Sequence, residues 1–129
     1  MPASSSFDYA IVRVVPHVER EEFINVGVIL FCRTRRFLDA CIEVDPARLR
    51  ALAPRLNPAQ VSAHLSLIPQ ICAGTPNHPI GRLSQAERFH WLVTPRSTSV
   101  QVSPVHCGIC TDPAAALNQL MDEMVRLDG

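Results

Sequence analysis

From Phe23 to Cys32 the chain reads Phe-Ile-Asn-Val-Gly-Val-Ile-Leu-Phe-Cys, an apolar run interrupted only by Asn25 and Gly27. Such a run reads as a β-strand buried on both faces, so the chain must build a sheet and a core around it. Gly27 within the run marks a bulge or a close backbone approach. The neighbours supply pairing partners. Phe7 to Val15, Phe-Asp-Tyr-Ala-Ile-Val-Arg-Val-Val, is rich in β-branched and aromatic residues and stops at Pro16, which makes it a first strand. After the basic turn Arg33-Thr34-Arg35-Arg36, the residues Phe37, Asp39, Cys41 and Glu43 alternate with Leu38, Ala40, Ile42 and Val44. A β-hairpin joining residues 24–32 and 37–44 follows.

Helix starts are marked by one recurring device. Asp45-Pro46, Asn57-Pro58 and Asp112-Pro113 each set an oxygen-bearing cap before a proline at the first helical position, where its missing N–H costs nothing. The first helix is short and ends by Pro54. The second runs from Pro58 to about Cys72 with Val61, Leu65, Ile68 and Cys72 on one stripe, and Pro69 is expected to kink or end it. The third spans Pro113 to Leu127 and carries Leu117, Leu120, Met121, Met124 and Val125 at helical spacing. Between the last two, Ser84 and Glu87 have capping-box spacing, but the alternation from Arg88 to Val93 favours a strand. With Pro95 suited to a β-turn, residues 89–103 are then expected to form a second hairpin with Arg96 near its tip. The expected fold is α+β: an antiparallel sheet of about four or five strands from two hairpins, packed by two or three helices on one face. Residues 1–6 are expected to be a flexible start and residues 7–129 a single α+β domain.

The chain has 129 residues, 47% of them apolar, and no apolar run near the length of a membrane span. The start lacks the basic and apolar regions of a signal peptide, so a soluble, cytoplasmic protein is expected. Twelve basic residues balance twelve acidic ones, which argues against a dedicated nucleic-acid binder. The five cysteines, an odd number, are expected as reduced thiols.

The stretch from Arg88 to Thr111 holds the only Trp, two of the five His, two Arg and several hydroxyls, with no acidic residue. Uncompensated Arg and His leave a positive field that suits an anion. Arg13, Arg88, His90, Arg96, Ser97, Thr98 and His106 are therefore candidate anion-binding residues, provided that the second hairpin brings them together. The alternative is that Arg88 and Arg96 pair with Glu19, Glu21, Glu22 or Asp39 on a solvated edge. Cys107 and Cys110 form one Cys-x-x-Cys pair, half of a zinc site, and without a second pair no metal is expected. No nucleophile elbow accompanies Ser97, Thr98 or Cys107, and no cofactor is expected.

Two stretches, Tyr9 to Cys32 and Arg88 to Asp112, carry a family pattern. It consists of an opening strand with Arg, a Glu-Phe-x-Asn-x-Gly strand, a helical middle, a Phe-x-Trp-x-x-x-Pro-Arg-Ser segment and a closing helix. The chain resembles the bacterial family called domain of unknown function 3037 over nearly its whole length. That resemblance implies no activity. It does imply neighbouring genes for HipA-like kinases, and so an accessory or regulatory role in a kinase or toxin-antitoxin module. The sequence thus points to a non-catalytic module that binds a protein through the Arg- and His-bearing hairpin or an exposed sheet edge. The competing reading is an enzyme or binder acting on phosphate or nucleic acid through Arg88, His90, Arg96 and His106.

Overall fold

The computed structural model describes residues 3–96 and 98–126. Its centre is an antiparallel sheet of five strands: β1 (Ser5–Val14), β2 (Ile24–Cys32), β3 (Phe37–Ile42), β4 (Val100–Val102) and β5 (His106–Cys110). Strand β2 lies between β1 and β3, and β1 takes both β4 and β5 along its other side. The helices are α1 (Pro46–Leu52), α2 (Pro58–Ala73), α3 (Gln85–Val93) and α4 (Pro113–Met124). No helix among the described residues is long and apolar enough to cross a membrane.

The class, the antiparallel sheet and the β2–β3 hairpin match the sequence expectation. β1 begins earlier than expected: Ser5 and Ser6, within the supposed flexible start, pair with Cys110 and Ile109. Three helices open on the caps read from sequence. Asp45 accepts from Ala47 and Arg48 N–H, Asn57 from Ala59 N–H, and Asp112 from Ala114 and Ala115 N–H, with proline following each time.

Three expectations are corrected. The second hairpin does not form, because residues 85–93 are helix α3. Both arms of the capping box close there: Glu87 N–H donates to Ser84 Oγ at 3.2 Å and Ser84 N–H to Glu87 Oε1 at 3.4 Å. The buried residues Arg88, Phe89 and Leu92 follow helical spacing. The apparent alternation of Phe89, Trp91 and Val93 does not follow one side of this helix, since residues two apart stand on opposite sides, and Trp91 and Val93 are only partly buried. Secondly, the helices lie on both faces of the sheet. α2 and α3 cover a core that includes Val12, Val14, Ile29 and Phe31, whereas α4 places Leu117, Leu120, Met121 and Val125 against Phe7, Val28, Leu30 and Cys32. Alternate residues of β2 thus enter opposite cores, which is what a strand apolar on both faces requires. Thirdly, of the two outcomes expected at Pro69, an end to the helix is excluded, since α2 runs through it to Ala73.

The β1–β2 register slips opposite Val26, between the pairs Val12–Gly27 and Arg13–Asn25. Gly27 sits beside this bulge and also serves close approach: a Cβ there would lie 2.5 Å from the Cys41 carbonyl oxygen of β3. The edge beyond β1 is broken. Ser103 N–H donates to Ile11 O at 2.8 Å, and its Oγ accepts from Ile11 N–H at 2.8 Å, so a side chain replaces a ladder carbonyl just before Pro104. β4 pairs with the second half of β1 and β5 with the first half.

Candidate functional site

The segment proposed from sequence as a cationic site is divided by the fold. Arg88 is only 9% exposed and faces inward from α3. Its Nε donates to Leu83 O at 3.0 Å, and one Nη donates to Ile71 O at 2.8 Å and Cys72 O at 2.6 Å. It therefore caps the C-terminal end of α2, where the last carbonyls lack intrahelical partners and the helix dipole favours a cation. Its hydrogen bonds commit it to holding α2 and α3 together.

Arg96 lies beyond the end of α3, with its guanidinium 4.2 Å from the centre of the Trp91 ring and one Nη donating to Trp91 O at 2.8 Å. Thr98 donates from Oγ1 to Val100 O at 2.7 Å. These two share a cavity of about 180 Å³ between α2, α3 and β4. His90 is exposed on α3 and lines a separate depression with Leu83 and Thr94. His106 belongs to β5, where it packs against Tyr9 with ring centres 5.4 Å apart. Arg13 points toward the α4 face. Ser97 lies outside the described residues. Of the seven candidates, the structure brings together Arg96 and Thr98.

Arg13 has a different neighbourhood, which sequence reasoning missed. It stands opposite Asn25 of β2 on one side and Gln101 of β4 on the other, so three polar side chains form a row across adjacent strands. The guanidinium lies 4.0 Å from the centre of the Phe23 ring. Asn25 donates from Nδ2 to Met124 O at the end of α4, at 3.1 Å. That bond leaves Asn25 Oδ1 buried without a partner among the described residues, and Arg13 Nε is buried in the same condition. A buried orphan of either kind costs about 1–3 kcal/mol. The signal was present in the sequence as a lone Arg in one apolar strand and a lone Asn in the next, but their apposition depends on register.

The second conspicuous surface is β5. Cys107 and Cys110 are three apart on a strand, so they project to opposite faces and do not form a common chelating pair. Cys107 donates to Asp8 Oδ1 at 3.4 Å, and that carboxylate raises its pKa; burial is the main cause that raises Cys110. All five cysteines are free, and no group of three or more His, Cys, Asp or Glu among the described residues is placed to hold a metal. Ile109, between the two thiols, is 77% exposed. Beside it runs an open groove of about 550 Å³ between β5 and α4, with Phe7, Tyr9 and Leu120 among its walls.

The two edges of the sheet differ. On β3, Asp39 Oδ1 accepts from Ala40 N–H at 2.8 Å, and the adjoining turn carries Arg33, Arg35 and Arg36, features that discourage strand addition. β5, His-Cys-Gly-Ile-Cys, has no charged carboxylate or guanidinium and no proline, and it pairs only with β1 among the described residues.

A family model described as "Protein of unknown function (DUF3037)" matches residues 9–125. No curated protein and no solved structure matches the chain. The chain belongs to the DUF3037 family.

Proposed function

Within a family that carries no assigned activity, we propose that this protein is a non-catalytic binding module whose β5 edge receives an extended segment of a protein partner. The single observation that carries the reading is Ile109, 77% exposed on an unprotected edge strand and bordering the groove against α4. A partner strand added to β5 would satisfy that edge's outward backbone groups, and its alternate side chains would reach Ile109 on one face and the groove on the other. The scatter of the cationic residues favours this reading over phosphate chemistry. A shared phosphate needs several donors converging within hydrogen-bond reach, whereas Arg88 is engaged with three carbonyls and His106 lies at the opposite half of the edge.

The first partner to test is a HipA-like kinase, the neighbour that the family resemblance implies, with this chain as its accessory or regulator. Titration calorimetry with the purified kinase is expected to give a complex that Ile109→Lys weakens at least about tenfold, since a Lys on an edge strand opposes pairing. Absence of a complex with the native protein overturns the kinase assignment. Undiminished binding by Ile109→Lys overturns the edge as the docking element.

A further inference from the structure

The cavity between α2, α3 and β4 combines an apolar floor with a cation that makes no ion pair with a described carboxylate. We propose that it binds a small amphipathic carboxylate, with the acid group on Arg96 and the apolar body between the helices and the sheet. The floor consists of Leu67 and Ile68 from α2, Leu92 from α3, and Val100 and Val102 from β4. A floor of this kind favours hydrocarbon and gives a fully hydrated anion such as inorganic phosphate nothing to replace its lost water.

The rim has the opposite character. His64, Arg96 and Thr98 stand there, no Asp or Glu among the described residues lines the cavity, and Arg96 makes no ion pair with a described carboxylate. Arg96 is held by stacking on Trp91 and by one hydrogen bond to its carbonyl, which fixes the guanidinium while leaving further N–H groups for an acceptor. Thr98 already donates its hydroxyl proton to Val100 O, so its oxygen offers only lone pairs to a ligand. Donors toward the ligand therefore come from Arg96 and an imidazole N–H of His64, and the guanidinium charge selects an anion.

Size narrows the class. About 180 Å³ is below the roughly 300–1,000 Å³ of pockets that hold drug-sized molecules. The ligand is accordingly a short aliphatic or single-ring acid rather than a nucleotide or a long-chain lipid. The site is separate from the β5 edge, and its test does not depend on a protein partner.

Hexanoate is the probe, with hexanol and inorganic phosphate as controls. Trp91 is the only tryptophan, so its emission reports directly on the cavity wall, and amide chemical shifts of Val100 and Val102 provide a second readout. The protein is expected to show a saturable response to hexanoate. Hexanol should bind at least about tenfold more weakly, the factor set by losing a charge-assisted hydrogen bond. Arg96→Gln, a change at an exposed side chain, should weaken hexanoate by a similar factor and leave hexanol unaffected. Val102→Phe should abolish both by filling the cavity. Equal binding of hexanoate and hexanol, unchanged hexanoate affinity in Arg96→Gln, no saturable response, or competition by phosphate would overturn the proposal.

Discussion

Replacing Arg88 with Met keeps the length and apolar stem of the side chain but removes every donor from the end of α2. Three carbonyls lose this donor, although Ile71 O keeps the Gly74 N–H at 3.2 Å. Leu83 is 38% exposed, so water can recover its carbonyl, whereas Cys72 is 2% exposed, sits beneath α3 and has no other donor to its carbonyl among the described residues. Counting only this buried orphan gives a loss of about 1–3 kcal/mol. That is a large share of the roughly 5–15 kcal/mol that stabilises a typical domain. At about 3 °C per kcal/mol for a chain of this size, the melting temperature should fall by about 3–9 °C. The assay is urea unfolding followed by Trp91 emission, which reports from the same helix, together with circular dichroism. Arg88→Lys should recover part of the loss, because an ammonium can reach one or two of the carbonyls but lacks the planar fork. If Arg88→Met unfolds within about 0.5 kcal/mol of the native protein, as an ordinary surface substitution would, the capping role is wrong.

Other consequences follow from the same structure. Gly27→Ala should destabilise by about 1–3 kcal/mol in urea unfolding, because its Cβ would meet Cys41 O and Ile42 Cδ1 at 2.5 Å in the middle of the sheet. Ser84→Ala should cost about 1 kcal/mol by opening the capping box of α3, and a variant as stable as the native protein would contradict that role. Under a thiol-modifying reagent, Cys107 should react first and Cys32 and Cys72 only on unfolding, as mass spectrometry of partly labelled protein would show. Burial pushes the Cys72 thiol up to about 12 from 9.0. The unfolded chain therefore releases that proton first, and stability should decline as pH rises between these values; Cys72→Ala should flatten this part of the pH profile.

The sequence was most legible where a local rule and the tertiary demand agreed. Asp45, Asn57 and Asp112 each precede a proline and cap a helix, because the capping interaction closes within a few residues and needs nothing from the rest of the chain. The run from Phe23 to Cys32 announced a strand between two layers, and α4 supplies the second layer. Residues 85–93 were ambiguous because Phe89, Trp91 and Val93 satisfy a period of two while Phe89 and Leu92 satisfy a helical one. The capping box of Ser84 and Glu87 was the discriminating signal.

Site residues were less legible, since charge in a sequence says nothing about whether a side chain is already engaged. Arg88 and Arg96 share a segment and a side-chain type, yet one is buried against the carbonyls of α2 and the other lies at the rim of a cavity. Only the turn of α3 separates their fates. Arg13 and Asn25 lie 12 positions apart and meet through a bulged register that composition does not encode.

The open edge is the centre of the functional account, and amide hydrogen exchange on β5 tests it most directly. Exchange at residues 106–110 should be fast in the isolated protein for the outward-facing amides. It should slow by at least about tenfold when a HipA-like kinase is bound, while the β3 edge remains unchanged. A complex that forms with β5 exchange unaltered would contradict strand addition at this edge.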